Sequence, residues 1–233
     1  MEPVNFPGDL DSIIPKRLLS NPKEDQVSCA FLVLGLFYND LKNLMFHFEQ
    51  TNYRFEKVDK NKKSVELGEF GGIRSHLERL LAATIYEFFK FIEENKSIFK
   101  TAEFSLIYEE LNLDLKDKWD SIVNISTGGT SKKQSSFYRI LSLIRHNLTI
   151  HYDQAIKVLG EGFVKKFFED QKDFSNEAGY FSIGETMAQT RFFYADAAAE
   201  RSVIAQVVKS MEYSEYQKNL RETIDNLNFV LMY

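Results

Sequence analysis

The stretch "SLIRHNLTIHYDQ", residues 142–154, holds Arg145, His146 and His151, the residue types in this chain best suited to chemistry. Histidine titrates near neutral pH and can move protons, and an arginine guanidinium can hold a phosphate through two hydrogen bonds. Two interpretations follow from this. Arg145 and His151 are a catalytic pair, or they are polar residues of an ordinary amphipathic helix in which His151 is a partly buried core residue.

Other kinds of site are not indicated by the sequence. The four histidines show no metal-ligand spacing, and the single cysteine stands alone. The loop "STGGTSKKQSS", residues 126–136, lacks the spacing of a phosphate-binding loop and a preceding strand. His47 and His76 lie in amphipathic patterns, so we expect them to be packed or surface residues rather than catalytic. We therefore predict no metal site and no cofactor.

The charges are distributed unevenly along the chain. The net charge of −5 argues against a protein that coats nucleic acid generally. However, residues 121–152 contain no Asp or Glu and carry Lys132, Lys133, Arg139 and Arg145. One interpretation is a loop and a buried helix face that exclude carboxylates. The other is a local positive potential that binds phosphates, with Lys132, Lys133 and Arg139 as RNA-binding residues.

The hydrophobic pattern predicts helices throughout. All four prolines fall within residues 1–23, which predicts a non-helical arm with a short turn at 11–19. Apolar residues recurring at three- and four-residue steps predict the helices that follow. They are expected at 24–50, 72–96, 101–125 (starting at a Thr101 cap and broken near Leu113), 137–152 (called helix four here), 154–170, 191–210 and 214–231. Residues 56–66 are expected to form a charged connector, and residues 176–186 could hold a short strand.

These elements predict an all-α fold, a bundle of long antiparallel helices with additional C-terminal helices. We divide the chain into an N-terminal arm (1–23), a helical bundle (24–170) and a C-terminal helical extension packed on the bundle (171–233). The apolar run Val27–Tyr38 is too short to span a bilayer, so it is expected to be a buried helix. The lone Cys29 and the lack of a signal-peptide pattern predict a cytoplasmic protein with no membrane contact.

The segment "RHNLTIHYD", residues 145–153, resembles the signature of the HEPN (higher eukaryotes and prokaryotes nucleotide-binding) superfamily. In that signature an Arg, often followed by a polar residue, precedes a His by five to seven positions, near the end of a long helix. Arg145, His146 and His151 match it. Arg139 and His146, seven apart, form a second pair with allowed spacing. The family fold, an all-α bundle, agrees with the periodicity.

The resemblance covers roughly residues 25–170 and implies a function. Many HEPN proteins are metal-independent endoribonucleases of toxin, phage-defence and RNA-processing systems. In such an enzyme a ribose 2′-OH attacks the adjacent phosphate. The resemblance assigns His151 as base or acid, Arg145 as the phosphate clamp, and His146 or Asn147 as an orienting or second proton-transfer residue.

Tyr152 and Asp153 are expected to support the site. In the branch regulated by adenylylation a Tyr stands two positions after the His, where this chain has Asp153, so that regulation is not expected. Two further classes of function stay open. The chain could be a non-catalytic HEPN module that binds RNA, a nucleotide or a partner protein, or it could be a helical scaffold.

The resemblance also implies partners: RNA, a second copy and, as a further candidate, an antitoxin or regulatory protein. Six residues of an ideal helix turn about 600°, so Arg145 and His151 point roughly 120° apart. Two copies meeting at a two-fold axis through or near helix four would supply both residues to one cleft. We also expect that the absence of carboxylates on this helix leaves its arginines available for phosphate.

Overall fold

The computed structural model describes residues 12, 14–149, 155–169 and 179–232, and it confirms an all-α fold. The α-helices are α1 (Pro15–Leu18), α2 (Gln26–Lys57), α3 (Val65–Glu94), α4 (Ala102–Glu110), α5 (Leu113–Ser126), α6 (Lys132–Ile144), α7 (Ala155–Val164), α8 (Phe193–Val207) and α9 (Tyr213–Met232). Short 3₁₀ turns cover Ile98–Lys100 and Met187–Gln189, and π-helical turns cover Arg145–Thr149 and Lys165–Glu169.

Side-chain caps explain where several helices begin. The Ser64 hydroxyl accepts a hydrogen bond from the Leu67 N–H, so α3 starts at 65 rather than at the predicted 72. Thr101 caps α4 as predicted, by accepting from the Phe104 N–H. Asn112 caps α5 in the same way, which confirms the predicted break near residue 113.

The glycine-containing loop is shorter than predicted. Gly128 and Gly129 have φ angles of 95° and 70°, which favour glycine, and they reverse the chain after α5. Ser131 and Gln134 then form a capping box, so the helix starts at 132. The prediction of loop across 132–136 is therefore wrong, because local capping overrides the polar composition. The suggested strand at 176–186 is also wrong within residues 179–186, where Ser182 forms an isolated β-bridge with Arg191.

Helix α3 is the centre of the bundle. It contacts α2, α5, α6 and α8, and it runs antiparallel to α6, because Tyr138 meets Glu93 whereas the later Arg145 meets the earlier Glu87. Each large side chain buried there contributes roughly 1.5–3 kcal/mol. The core also contains residues of α8 and α9, so the segment predicted as a C-terminal extension shares the core of the bundle. Members with less than 2% exposure include Ile85, Phe88, Phe89, Ile92, Ile140, Leu141, Ile144, Val207, Tyr216 and Leu227.

Helix α2 covers the core with only part of its surface. Within the apolar run 27–38 the helix prediction is correct, but only Val27, Ala30 and Leu34 are buried. Leu36, for instance, is 62% exposed. The prediction that this run is a buried helix is therefore wrong for most of its residues. Among the described helices, α2 alone is long and apolar enough to cross a membrane by length and composition. A cytoplasmic location stays a prediction.

Candidate functional site

The first half of the predicted motif lies in a widened helical turn. Helix α6 ends at Ile144, and residues 145–149 continue as a π-helical turn. The buried Thr149 hydroxyl donates to the carbonyl oxygen of Ile144, five residues earlier, at 3.0 Å. It also lies 3.4 Å from the carbonyl oxygen of Arg79 on α3. π-helical turns are rare in proteins overall, and many of those that occur lie at functional sites.

This turn brings a cation and an imidazole together. The Arg145 Nη1 lies 3.2 Å from Nδ1 of His146. A guanidinium can only donate, so Nδ1 accepts and the ring proton of a neutral His146 lies on Nε2. The His146 ring stands edge-on to Tyr86, with ring centroids 5.7 Å apart. The basic lone pair of His146 is thus occupied by Arg145.

The Arg145 side chain is also bound by an acid from another helix. Its Nε donates to Oε1 of Glu87 on α3 at 2.5 Å. The side chain of Glu87 is 52% exposed and that of Arg145 is 22% exposed. The expectation that the acid-free helix leaves its arginines available is therefore wrong for Arg145, because α3 supplies the carboxylate that α6 lacks.

Neighbouring polar groups extend the site along the contact between α3 and α6. The Tyr138 hydroxyl donates to Oε2 of Glu93 at 3.3 Å, and Lys90 lies 3.0 Å from the same oxygen. Burial, together with the neighbouring Tyr86 and Glu93, raises the pKa of Tyr138. Tyr138 is therefore a hydrogen-bond donor at neutral pH and not a base.

Asn147 and Arg139 have partners of their own. The Asn147 amide donates to the carbonyl oxygen of Leu143 at 2.9 Å, so it is held against its own helix. The Arg139 guanidinium donates to the Ser210 hydroxyl at 2.6 Å, in the connection between α8 and α9. His146 contacts Tyr86 on α3, whereas Arg139 contacts Ser210. No described contact joins Arg139 to His146, the alternative pair.

The remaining predicted residues are placed only in part. Lys132 and Lys133 form the start of α6, about 20 Å along the helix from Arg145 at 1.5 Å per residue. His151, Tyr152 and Asp153 lie outside the described residues. The geometry between Arg145 and His151 therefore stays a prediction.

A second polar cluster lies behind the turn and was not predicted. The Tyr213 hydroxyl donates to Oε1 of Glu78 at 3.0 Å, and burial raises the pKa of the Glu78 carboxyl. Tyr216 is fully buried, and its hydroxyl has no hydrogen-bond partner within the described chain. Ile144, the last residue of α6, lines the same small cavity. No spacing in the sequence indicates that α3 and α9 meet here.

Within the described residues, no group of three or more His, Cys, Asp or Glu side chains could hold a metal ion. No protein-family model matches the chain, and neither curated proteins nor solved structures provide a match. The motif residues and the geometry of the turn are therefore the features that bear on function.

Proposed function

We propose that the protein is a metal-independent endoribonuclease of HEPN type, acting in the cytoplasm in a toxin or phage-defence system. The observation that carries this proposal is the π-helical turn in which the Arg145 guanidinium lies 3.2 Å from the His146 imidazole. A cation that can hold a phosphate and a group that can move a proton thus share one partly exposed turn.

The existing contacts suggest how the turn works. An RNA phosphate competes with Glu87 for the Arg145 guanidinium, which can hold two of its oxygens. When Arg145 turns to the phosphate, Nδ1 of His146 loses its donor and becomes available as a base. A histidine takes the proton of the 2′-OH, the oxygen attacks the adjacent phosphorus, and a second group protonates the leaving 5′-oxygen. His151 and His146 fill these two roles, and Arg145 stabilises the charge that develops on phosphorus.

The reaction is tested with purified protein and labelled RNA in EDTA. The wild-type protein should cleave the RNA and leave a cyclic phosphate. His151→Ala should reduce the rate by about 10²–10⁴, as expected for loss of a general acid or base. The exposed His47, far along the chain on α2, provides the matched control, and His47→Ala should cleave normally. If the wild-type protein does not cleave RNA in this assay, the proposal that it is a ribonuclease is wrong.

We propose that the enzyme is a homodimer with helix four at or near the interface, so that both motifs line one cleft. Light scattering should then give twice 27.1 kDa. A monomer at working concentrations would contradict the shared cleft. An antitoxin or other regulatory protein that covers this cleft is a further expected partner.

One observation favours a second function, a non-catalytic module that binds RNA, a nucleotide or a partner protein. The Glu87 carboxylate already occupies Arg145. In such a module this ion pair is permanent and organises the surface. The same assay separates the two functions, because the module would bind labelled RNA and leave it intact.

A further inference from the structure

A separate cavity of about 480 Å³ lies at the far end of α3, away from the motif turn. It is open to solvent on one side and is lined by the end of α3, the 3₁₀ turn, α4 and α5. Its volume falls in the range of about 300–1,000 Å³ that is typical of small-molecule sites. Four aromatic rings line it: Phe99, Phe104, Tyr108 and Trp119.

The rings form a partly preassembled apolar wall. The centroids of Phe99 and Trp119 are 5.3 Å apart, and those of Phe104 and Trp119 are 5.6 Å apart. Phe99 and Phe104 meet edge to face at 5.2 Å. Because these rings hold each other in place, a flat ligand would lose little free energy to side-chain ordering on binding.

The charged groups of the cavity are not equivalent. The two acids are engaged: Asp120 accepts from the Tyr108 hydroxyl at 2.9 Å, and Glu109 pairs with Lys116 at 3.3 Å. Lys96 and Lys100 are exposed, and within the described chain neither takes part in an ion pair. Asp120 keeps its negative charge, because the Tyr108 hydroxyl that it binds is neutral, whereas Lys96 and Lys100 are the two cations of the lining without a described ion pair.

Trp119 supplies an independent observation. The residue is only 6% exposed, and its indole N–H donates to no group in the described part of the chain. The indole nitrogen is not among the fully buried polar atoms of the described residues that lack a partner, so solvent reaches it and a ligand can accept its proton. The cavity thus offers one hydrogen-bond donor beside an aromatic wall and two lysines.

We propose that this cavity binds a planar nitrogen-containing aromatic molecule that carries an anionic group. The ring lies against Phe99, Phe104 and Trp119, and a ring nitrogen accepts the indole N–H. The anionic group binds Lys96 and Lys100. A purine mononucleotide and a pyridine carboxylate share this chemistry, and the volume suits the larger of the two.

The chain contains one tryptophan, so its fluorescence reports directly on the cavity. Four probes should be titrated into the full-length protein: adenosine monophosphate with adenosine, and nicotinate with nicotinamide. We expect one of the anionic probes to change the Trp119 emission saturably, and its neutral counterpart to bind about tenfold more weakly. Binding of the nucleotide alone identifies a nucleotide site, and binding of nicotinate alone identifies a pyridine carboxylate site.

Two variants test the assigned contacts by calorimetry. Lys96→Gln with Lys100→Gln should weaken the anionic probe about tenfold and leave its neutral counterpart unchanged. Trp119→Phe keeps a ring but removes the donor, so affinity should fall about threefold to tenfold. Lys62→Gln, at a lysine side chain 81% exposed and outside the cavity, is the matched control.

Each result decides the proposal. If none of the four probes alters the fluorescence at millimolar concentration, the cavity does not bind this class of ligand and the proposal is wrong. Equal affinity for charged and neutral probes, or binding that ignores the lysine substitutions, would also overturn it. Because these readouts need no RNA, they are independent of the cleavage assay.

Discussion

The motif turn and the aromatic cavity both adjoin α3, but their charged groups are in different states. At the turn, Arg145 is already held by Glu87 and by His146. At the cavity, Lys96 and Lys100 have no ion pair within the described residues. A ligand must therefore displace a carboxylate at the turn, whereas it meets available cations at the cavity.

This difference shows that the residues recognised by a sequence motif need not be the ones whose charges are available to a ligand. The turn contains Arg145 and His146 of the motif, but Arg145 is paired with Glu87. Only the packing of α3 against the turn places Glu87 there. The cavity carries no motif, because its walls come from four consecutive segments of ordinary composition. The proposal for the turn therefore begins from residue types, and the proposal for the cavity rests on the assembled structure alone.

The largest expected effect is a loss of stability when an aromatic residue of the cavity wall is truncated, which tests whether the wall also belongs to the structural core. Phe104 is 7% exposed and contacts Phe99 and Trp119. Phe104→Ala should therefore lower the free energy of unfolding by about 3–5 kcal/mol, measured by urea denaturation. The exposed Phe46 is the control, and Phe46→Ala should cost less than about 1 kcal/mol. A loss below about 1 kcal/mol for Phe104→Ala would show that the wall does not support the fold.

The second prediction concerns the turn, where the effect should be on chemistry and not on stability. Arg145→Lys keeps the charge but loses the planar fork that holds two phosphate oxygens. If the proposed function holds, cleavage should fall by about 10²–10³, while the unfolding free energy changes by less than about 1 kcal/mol, because a lysine can keep the ion pair with Glu87. Equal rates in single-turnover cleavage would remove Arg145 from the mechanism.

The third prediction tests what holds the turn in its widened form. Thr149→Val keeps the shape but removes the hydroxyl that donates to the Ile144 carbonyl. Stability should fall by about 1–2 kcal/mol, because a buried hydrogen bond is lost. Thr127→Val, at an exposed threonine with a similar local bond, should change stability by less than about 0.5 kcal/mol. Equal values for the two variants would mean that the hydroxyl does not hold the turn.

The smallest expected effect comes from a substitution that removes the competing carboxylate from the turn, so that a phosphate need not displace it. Glu87→Gln removes the charge that competes for Arg145, so RNA should bind about twofold to fivefold more tightly at low salt. Glu56→Gln, at an acid paired with Lys60 on α2, removes the same charge elsewhere and serves as the control. The measurement is fluorescence anisotropy with labelled RNA. Unchanged or weaker binding would show that Glu87 does not compete with phosphate.

The sequence by itself determined the helical class and several boundaries. Apolar residues at three- and four-residue steps indicate helices, and a cap needs only residues a few positions apart. Thr101 and the break near Leu113 were therefore predictable. The start of α6 at a capping box was also within reach, but the polar composition of the loop obscured it.

Only the tertiary structure decided what the predicted site contacts. Arg145 and Glu87 are 58 residues apart, and their meeting depends on the register between α6 and α3. The same register brings Thr149 beside α3 in the π-helical turn. Trp119 faces a cavity because the end of α3, the 3₁₀ turn, α4 and α5 converge there. Hydrophobic periodicity fixes which face of a helix is buried, but not which residue of another helix lies opposite it.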